Sequence, residues 1–212
     1  MYNRLRIYNK QKGWAAVFVP RCGTGSLKTL CFRDAKGYHP ELNIHLMGYH
    51  PELNIHSIIP SIDGERHGII VNGYWPEDCY KFAVWRDPLQ RSISCWRGFT
   101  QGITPHVFPH LHHCSFDEWA EFLQKIVRPE MIEPHIKRQI DSYDAEELDA
   151  IVPLDRLEEF MRSAYGYDYI PKQGSSKEIK TNLPITDRGV DIISDIYAED
   201  LAVPILYHSK VY

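Results

Sequence analysis

The sequence predicts an α/β fold of three layers, with a mostly parallel central sheet flanked by helices. Three observations predict it. Short apolar runs end at Pro20 and at the Arg86-Asp87-Pro88 turn, as buried strands do. Each run is followed by residues with apolar positions at helical spacing. The two patterns then alternate along 212 residues, a length that fits one domain with a sizeable core. The expectation is a single domain over 1–212, with its core at 14–205.

Taken in order, Trp14 to Val19 reads as the first strand. Pro20 to Gly25 reads as a tight loop, and Ser26 to Arg33 as a helix with Leu27, Leu30 and Cys31 on one face. Gly37 to His45 then recurs unchanged as Gly48 to His56, offset by 11 residues. Two copies are too few for a solenoid. An odd offset reverses the facing of a strand but makes close to three helical turns, so the copies are expected to differ in role. A local duplication is the plain reading. Ile58-Ile59 and Ile69 to Val71 are short apolar pieces. Tyr80 to Trp85 is the second clear strand, and Leu89 to Phe99 resumes at helical spacing. Helices are expected over Phe116 to Val127 and Ile132 to Asp141. A strand is expected over Ala150 to Val152, and helices over Leu154 to Met161 and Thr186 to Tyr197. Lys172 to Lys180 reads as a polar, flexible loop.

Composition excludes several classes. With 43% hydrophobic and 25% charged residues the chain is an ordinary folded protein. Lys and Arg number 24 against 28 Asp and Glu, a net charge of −4, so a nucleic-acid partner is not expected. A small anion held by local arginines is still allowed. Cys22, Cys31, Cys79, Cys95 and Cys114 are odd in number and lack a CxxC pair, which argues for reduced thiols. The apolar run from Trp14 to Pro20 is too short for a membrane span or a signal core. The expectation is a soluble, cytoplasmic protein with no membrane partner. His106, His110, His112 and His113 read as solvated loop residues, and no metal is expected. Nothing in the sequence argues against a homodimer.

Two stretches look suited to anions. Arg21, Cys22, Gly23, Thr24, Gly25 and Ser26 lie between a strand and a helix, where an open α/β sheet binds its ligand. Loop amides and a helix N-terminus favour negative charge, and Thr24, Ser26 and Arg21 add hydroxyls and a cation. The plain alternative is a βα turn with a serine cap. The Walker A pattern GxxxxGK(S/T) does not match, and Lys28 is not in its place. In the second stretch Arg86 ends a strand and Ser94 stands eight residues on, about two helical turns. Arg86, Arg91 and Ser94 are expected to hold a second phosphate. The plain alternative there is an Arg86–Asp87 cluster with a capped helix.

Together, in this order, the two stretches resemble the 3′-phosphoadenosine-5′-phosphosulfate (PAPS)-dependent sulfotransferases, nearest the carbohydrate-type branch with the heparan uronyl sulfotransferases. Val19 to Leu27 (VPRCGTGSL) looks like that branch's 5′-phosphosulfate loop. Phe82 to Ser94 (FAVWRDPLQRSIS) looks like its 3′-phosphate motif. Ser115 to Trp119, Pro134 to Gln139 and Ile196 to Asp200 resemble weaker family signatures. The resemblance implies a P-loop-NTPase-like sulfotransferase fold and transfer of a sulfuryl group from PAPS to a hydroxyl. The acceptor is expected to be a carbohydrate or another small hydroxyl compound. Arg21, with the amides from Cys22 to Leu27, would hold the phosphosulfate. Arg86 and Ser94 would hold the 3′-phosphate, with no metal required. The family normally has Lys where Arg21 stands. Arginine stabilises charge but does not give up a proton. Gly25 also replaces a common Thr or Ser.

Such transfer needs a base for the acceptor hydroxyl, and histidine suits it. The resemblance implies a histidine before the second motif's strand. His67 is the first candidate and His56 the next, while His135 reads as structural. Tyr38, Tyr49, Trp75, Trp96 and Phe99 offer sugar-stacking faces, with core packing the alternative. Two other readings remain open at this point: a P-loop-like nucleotide-dependent phosphotransferase (kinase), and a non-catalytic nucleotide-binding homologue.

Overall fold

Four short runs pair into one sheet in the order β1-β2-β3-β4. Strand β1 (Arg6–Asn9) is antiparallel to β2 (Trp14–Val17), whereas β2, β3 (Tyr80–Trp85) and β4 (Ala150–Pro153) are parallel. The computed structural model describes residues 6–17, 19–36, 75–100, 108–127, 133–171 and 183–203. Every residue of β2 is buried, which is why it reads as a continuous apolar run and not as an alternation. The register sets Ala16 opposite Phe82 and Phe82 opposite Ala150. Trp14, Phe82 and Phe160 therefore stack on one face, with ring centroids 5.7 and 5.1 Å apart.

Among the described residues the helices are α1 (Thr24–Lys36), α2 (Pro88–Thr100), α3 (Phe116–Ile126), α4 (Leu157–Tyr165), α5 (Asp187–Ile196) and α6 (Ala198–Leu201). Their ends have local chemical causes. Ser115 and Glu118 form a reciprocal capping box at the start of α3. Thr186 accepts the Gly189 amide at the start of α5. Gly166, at φ +69°, closes α4 in the left-handed conformation. One apolar cluster joins the sheet to α1 and α4. A second lies among the helices and is built mainly from Trp96, Phe99, Phe116, Trp119, Leu123 and Ile193, with Ile136 from outside them. Helix α2 is buried almost all round, as a helix inside a fold must be. Among the described residues, no helix is long and apolar enough to cross a membrane.

Three elements differ from the sequence expectation. Strand β1 is additional. Its polar ends, Arg6 and Asn9, are 4% and 3% exposed. The Arg6 guanidinium lies 4.1 Å over the Trp75 ring and pairs with Glu147. Asn9 donates to Asp34 and to Tyr167. The helix expected from Leu154 opens as a 3-10 turn, and the α-helix begins at Leu157. The helix expected over Ile132 to Asp141 is not one. From Glu133 the chain runs as turns to a short 3-10 segment at Ile140–Ser142. Side chains from elsewhere take its backbone groups. Arg91 donates to the Pro134 and Lys137 carbonyls, Cys95 to that of His135 and Tyr197 to that of Ile136. The amides of Gln139 and Ile140 donate to Asp200. The segment is thus a half-buried strap across α2, with several of its backbone polar groups satisfied by side chains. Both repeat copies, Ile58-Ile59, Ile69 to Val71 and Lys172 to Lys180 lie outside the described residues.

Candidate functional site

Because β2 and β3 are parallel neighbours, the turns that follow them leave the same edge of the sheet. That is the carboxyl edge, where open α/β sheets place ligands. The Arg86 Nη1 donates to the Arg21 carbonyl at 3.0 Å, so the two turns touch.

The first turn leads into α1. Arg21 and Gly23 both have left-handed backbones, at φ +66° and +76°. Glycine is needed at position 23 for packing as well. A Cβ there would lie 2.9 Å from Leu154 Cδ1 and 3.0 Å from Leu157 Cδ2. The Cys22 amide donates to the Val19 carbonyl and the Leu27 amide to that of Gly23. The amides of Gly23, Thr24, Gly25 and Ser26 have no partner among the described residues. Thr24 and Ser26 place two hydroxyl groups on this turn. No acidic residue stands in the first turn of α1. Four successive donors at a helix start, with no carboxylate to meet them, make an anion cradle.

The Arg21 side chain runs along α2. Its guanidinium carbon is 5.3 Å from the Phe99 ring centroid, a cation–π contact. It also lies against Gly98, where a Cβ would stand 2.3 Å from Nη2. Its Nε is buried without a hydrogen-bond partner. A left-handed non-glycine residue costs about 1–3 kcal/mol. At Arg21 that strain goes with a cation held on an aromatic face and short of acceptors.

The second turn is filled from within. The Gln139 side chain accepts the Arg86 amide at 3.0 Å and donates to the Arg86 carbonyl at 2.8 Å, as a neighbouring strand would. The Cys22 thiol donates to the same Gln139 oxygen at 3.2 Å, so Gln139 ties both turns together. Asp200 accepts from the amides of Gln139 and Ile140, and its own carbonyl accepts from Trp85 Nε1. At the start of α2, Asp87 accepts the Gln90 amide as a cap.

Burial governs the electrostatics here. It pushes the Cys22 thiol up to about 12, against the pull of Arg91 and Arg86, so the thiol stays neutral and donates. Burial also lowers the Arg86 guanidinium. The Cys22 and Cys95 thiols oppose that shift, while the charges of Arg21 and Arg91 add to it. Asp200 is raised by burial, while the two amides and Arg91 pull it down. Lys28 on α1 is 3% exposed, and burial lowers its ammonium to about 8. The site is thus a place of cations with the one buried carboxylate, Asp200, already engaged.

The structure brings Arg21, Cys22, Gly23, Thr24, Gly25, Ser26 and Arg86 together at this edge. It gives other surroundings to the rest. Arg91 is 2% exposed, and its Nε, Nη1 and Nη2 all donate to backbone carbonyls, of Pro20, Lys137 and Pro134. It is a clamp between segments, because its donors are committed. Ser94 is 3% exposed, and the Leu27 side chain lies in the sheet core. Trp96 and Phe99 are core residues at 0% and 1% exposure, and Arg6 covers the Trp75 ring, so none of them is a sugar platform. His67, His56, Tyr38, Tyr49 and His106 lie outside the described residues. Among the described residues no group of three or more His, Cys, Asp and Glu could hold a metal ion. Gly98 was legible only as a glycine inside a helix. Gln139 and Asp200 carried no local signal of their task, since their partners are far along the chain. No family model, no curated protein and no solved structure matches this chain.

Proposed function

We propose that the chain is a PAPS-dependent sulfotransferase on a P-loop-like scaffold, moving a sulfuryl group from PAPS to a hydroxyl of a carbohydrate or another small molecule. The observation that carries this is the first turn. It has four amides with no partner among the described residues, two hydroxyls and a strained arginine at the carboxyl edge of a parallel sheet. A phosphosulfate fits that donor set. Amides of Gly23 to Ser26 and Arg21 hold its oxygens and stabilise the charge that develops on the leaving 5′-phosphate. Arg86 uses one guanidinium nitrogen on the Arg21 carbonyl and keeps further donors for the 3′-phosphate. That second contact fixes the register of the donor, which in-line displacement requires. Arginine at position 21 acts by charge alone. The acceptor's proton goes to a histidine, for which the resemblance puts His67 first and His56 second. The positive charge comes from arginines and amides, so no metal is assigned a step.

Thermal unfolding tests this reading directly. Adenosine 3′,5′-bisphosphate is expected to raise Tm without Mg²⁺, and to lose that effect in Arg86→Ala. Stabilisation by ATP with Mg²⁺ and none by the bisphosphate overturns it in favour of a kinase. Bisphosphate binding with no transfer of labelled sulfate to glycans or small alcohols identifies a non-catalytic nucleotide-binding protein.

A further inference from the structure

The strap that crosses α2 carries a second feature besides Gln139. Glu133 Oε1 lies 2.6 Å from His135 Nδ1 and also accepts the His135 amide at 3.1 Å. The hydrogen bond to His135 holds the Glu133 carboxyl below its ordinary range. A carboxylate on Nδ1 fixes the proton there and leaves Nε2 as the acceptor, the orientation a general base needs. The imidazole packs edge-on against Phe99, with centroids 5.1 Å apart. The Arg21 guanidinium carbon lies 5.3 Å from the centroid of the same ring, which Phe108 and Trp119 also flank. Imidazole and guanidinium thus share one aromatic ring. The Cys95 thiol on α2 donates to the His135 carbonyl at 3.1 Å, which ties the strap to that helix. Both side chains of the pair are about one-third exposed. Side-chain bonds hold the strap in its irregular path, and that path brings His135 to the ring that also carries the Arg21 guanidinium.

We infer that His135, oriented by Glu133, is the general base that takes the proton of the acceptor hydroxyl. This rests on the sulfotransferase reading and replaces His67 in that role. In the step, the acceptor oxygen forms a bond to sulfur and the bond from sulfur to the 5′-phosphate oxygen breaks. The hydroxyl proton passes to His135 Nε2, and adenosine 3′,5′-bisphosphate leaves with the bonding electron pair. Glu133 stabilises the imidazolium that forms.

The test uses the full chain with labelled PAPS and two probe acceptors. Cellobiose has alkyl hydroxyls that need a base, whereas 4-nitrophenol ionises near neutrality unaided. His135→Asn keeps a group able to bond Glu133. It is expected to lower transfer to cellobiose by about 100-fold or more. Transfer to 4-nitrophenol should stay within a few-fold, and bisphosphate affinity within about twofold. Glu133→Gln should give a smaller loss on cellobiose alone. Wild-type transfer to cellobiose by His135→Asn overturns the inference, as does an equal loss on both acceptors. A wild-type chain that binds the bisphosphate but sulfates neither probe also overturns it and leaves nucleotide binding standing. Failure to bind the bisphosphate at all overturns the reading beneath it.

Discussion

The two turns at the carboxyl edge of the sheet have the same topology and opposite chemistry. Each joins a parallel strand to a buried helix, and each begins with an arginine near its first residues. After β3 the turn is closed by its own protein. Asp87 caps α2, Gln139 pairs with both backbone polar groups of Arg86, and Asp200 holds Gln139. After β2 the start of α1 has four amides with no partner among the described residues, and Arg21 stands in a strained conformation over Phe99. Orphan donors at a helix end are normally satisfied by a cap, water or a ligand. One turn is built to hold the fold, and the other is built to hold something else. Arginine count alone does not locate an anion site, because Arg91, the most deeply buried of the three, has spent its donors on carbonyls.

That contrast can be broken from either side. The largest effect is expected at Asp200, whose carboxylate meets two backbone amides inside the fold. Asp200→Ala leaves both unpaired and should cost about 2–5 kcal/mol in urea unfolding. A loss below 1 kcal/mol would mean that the second turn does not depend on its latch. Gly98→Ala acts on the first turn. The added Cβ displaces the Arg21 guanidinium, while alanine favours the helix by about 0.8–1.0 kcal/mol. Calorimetry should show bisphosphate affinity down by about tenfold, 1.4 kcal/mol, in a protein that still unfolds cooperatively. Unchanged affinity would remove Arg21 from the site. The smallest effect is expected from Asp87→Ala, which strips the cap from α2 and should cost about 1 kcal/mol. It should leave bisphosphate affinity nearly unchanged, since the Asp87 carboxylate is spent on the Gln90 amide.

What the sequence revealed follows the range of the forces involved. Strands β2, β3 and β4 are legible because burial on both faces writes a continuous apolar run. Helices α2, α3 and α5 are legible because apolar spacing and local caps act within one or two turns. Strand β1 was hidden because its ends are polar, and only distant Trp75, Glu147, Asp34 and Tyr167 make their burial tolerable. Ile136 and Ile140 stand four residues apart, which mimics a helix face. The carbonyls a helix would use are instead taken by Arg91, Cys95 and Tyr197. The site divides in the same way. The loop from Arg21 to Ser26 and the end of β3 at Arg86 could be placed from local pattern. The filling of the second turn and the seat at Gly98 depend on contacts that no local window contains, and the Glu133–His135 pair, two residues apart, was hidden by the helix expected there.

The Gln139–Asp200 latch also has a consequence for synthesis. The first turn leans on Gln139, Leu154 and Leu157, and the second waits for Gln139, 53 residues beyond Arg86, and for Asp200, 115 beyond Trp85. Closing loops of that size delays such contacts. As the chain leaves the ribosome from its N-terminus, the sheet can form before the latch does. Until Asp200 emerges, the amides of Gln139 and Ile140 have nothing to donate to, and Arg86 hangs from a strand end that is only half secured. The last helix is therefore a timing element: its arrival completes the floor of the site.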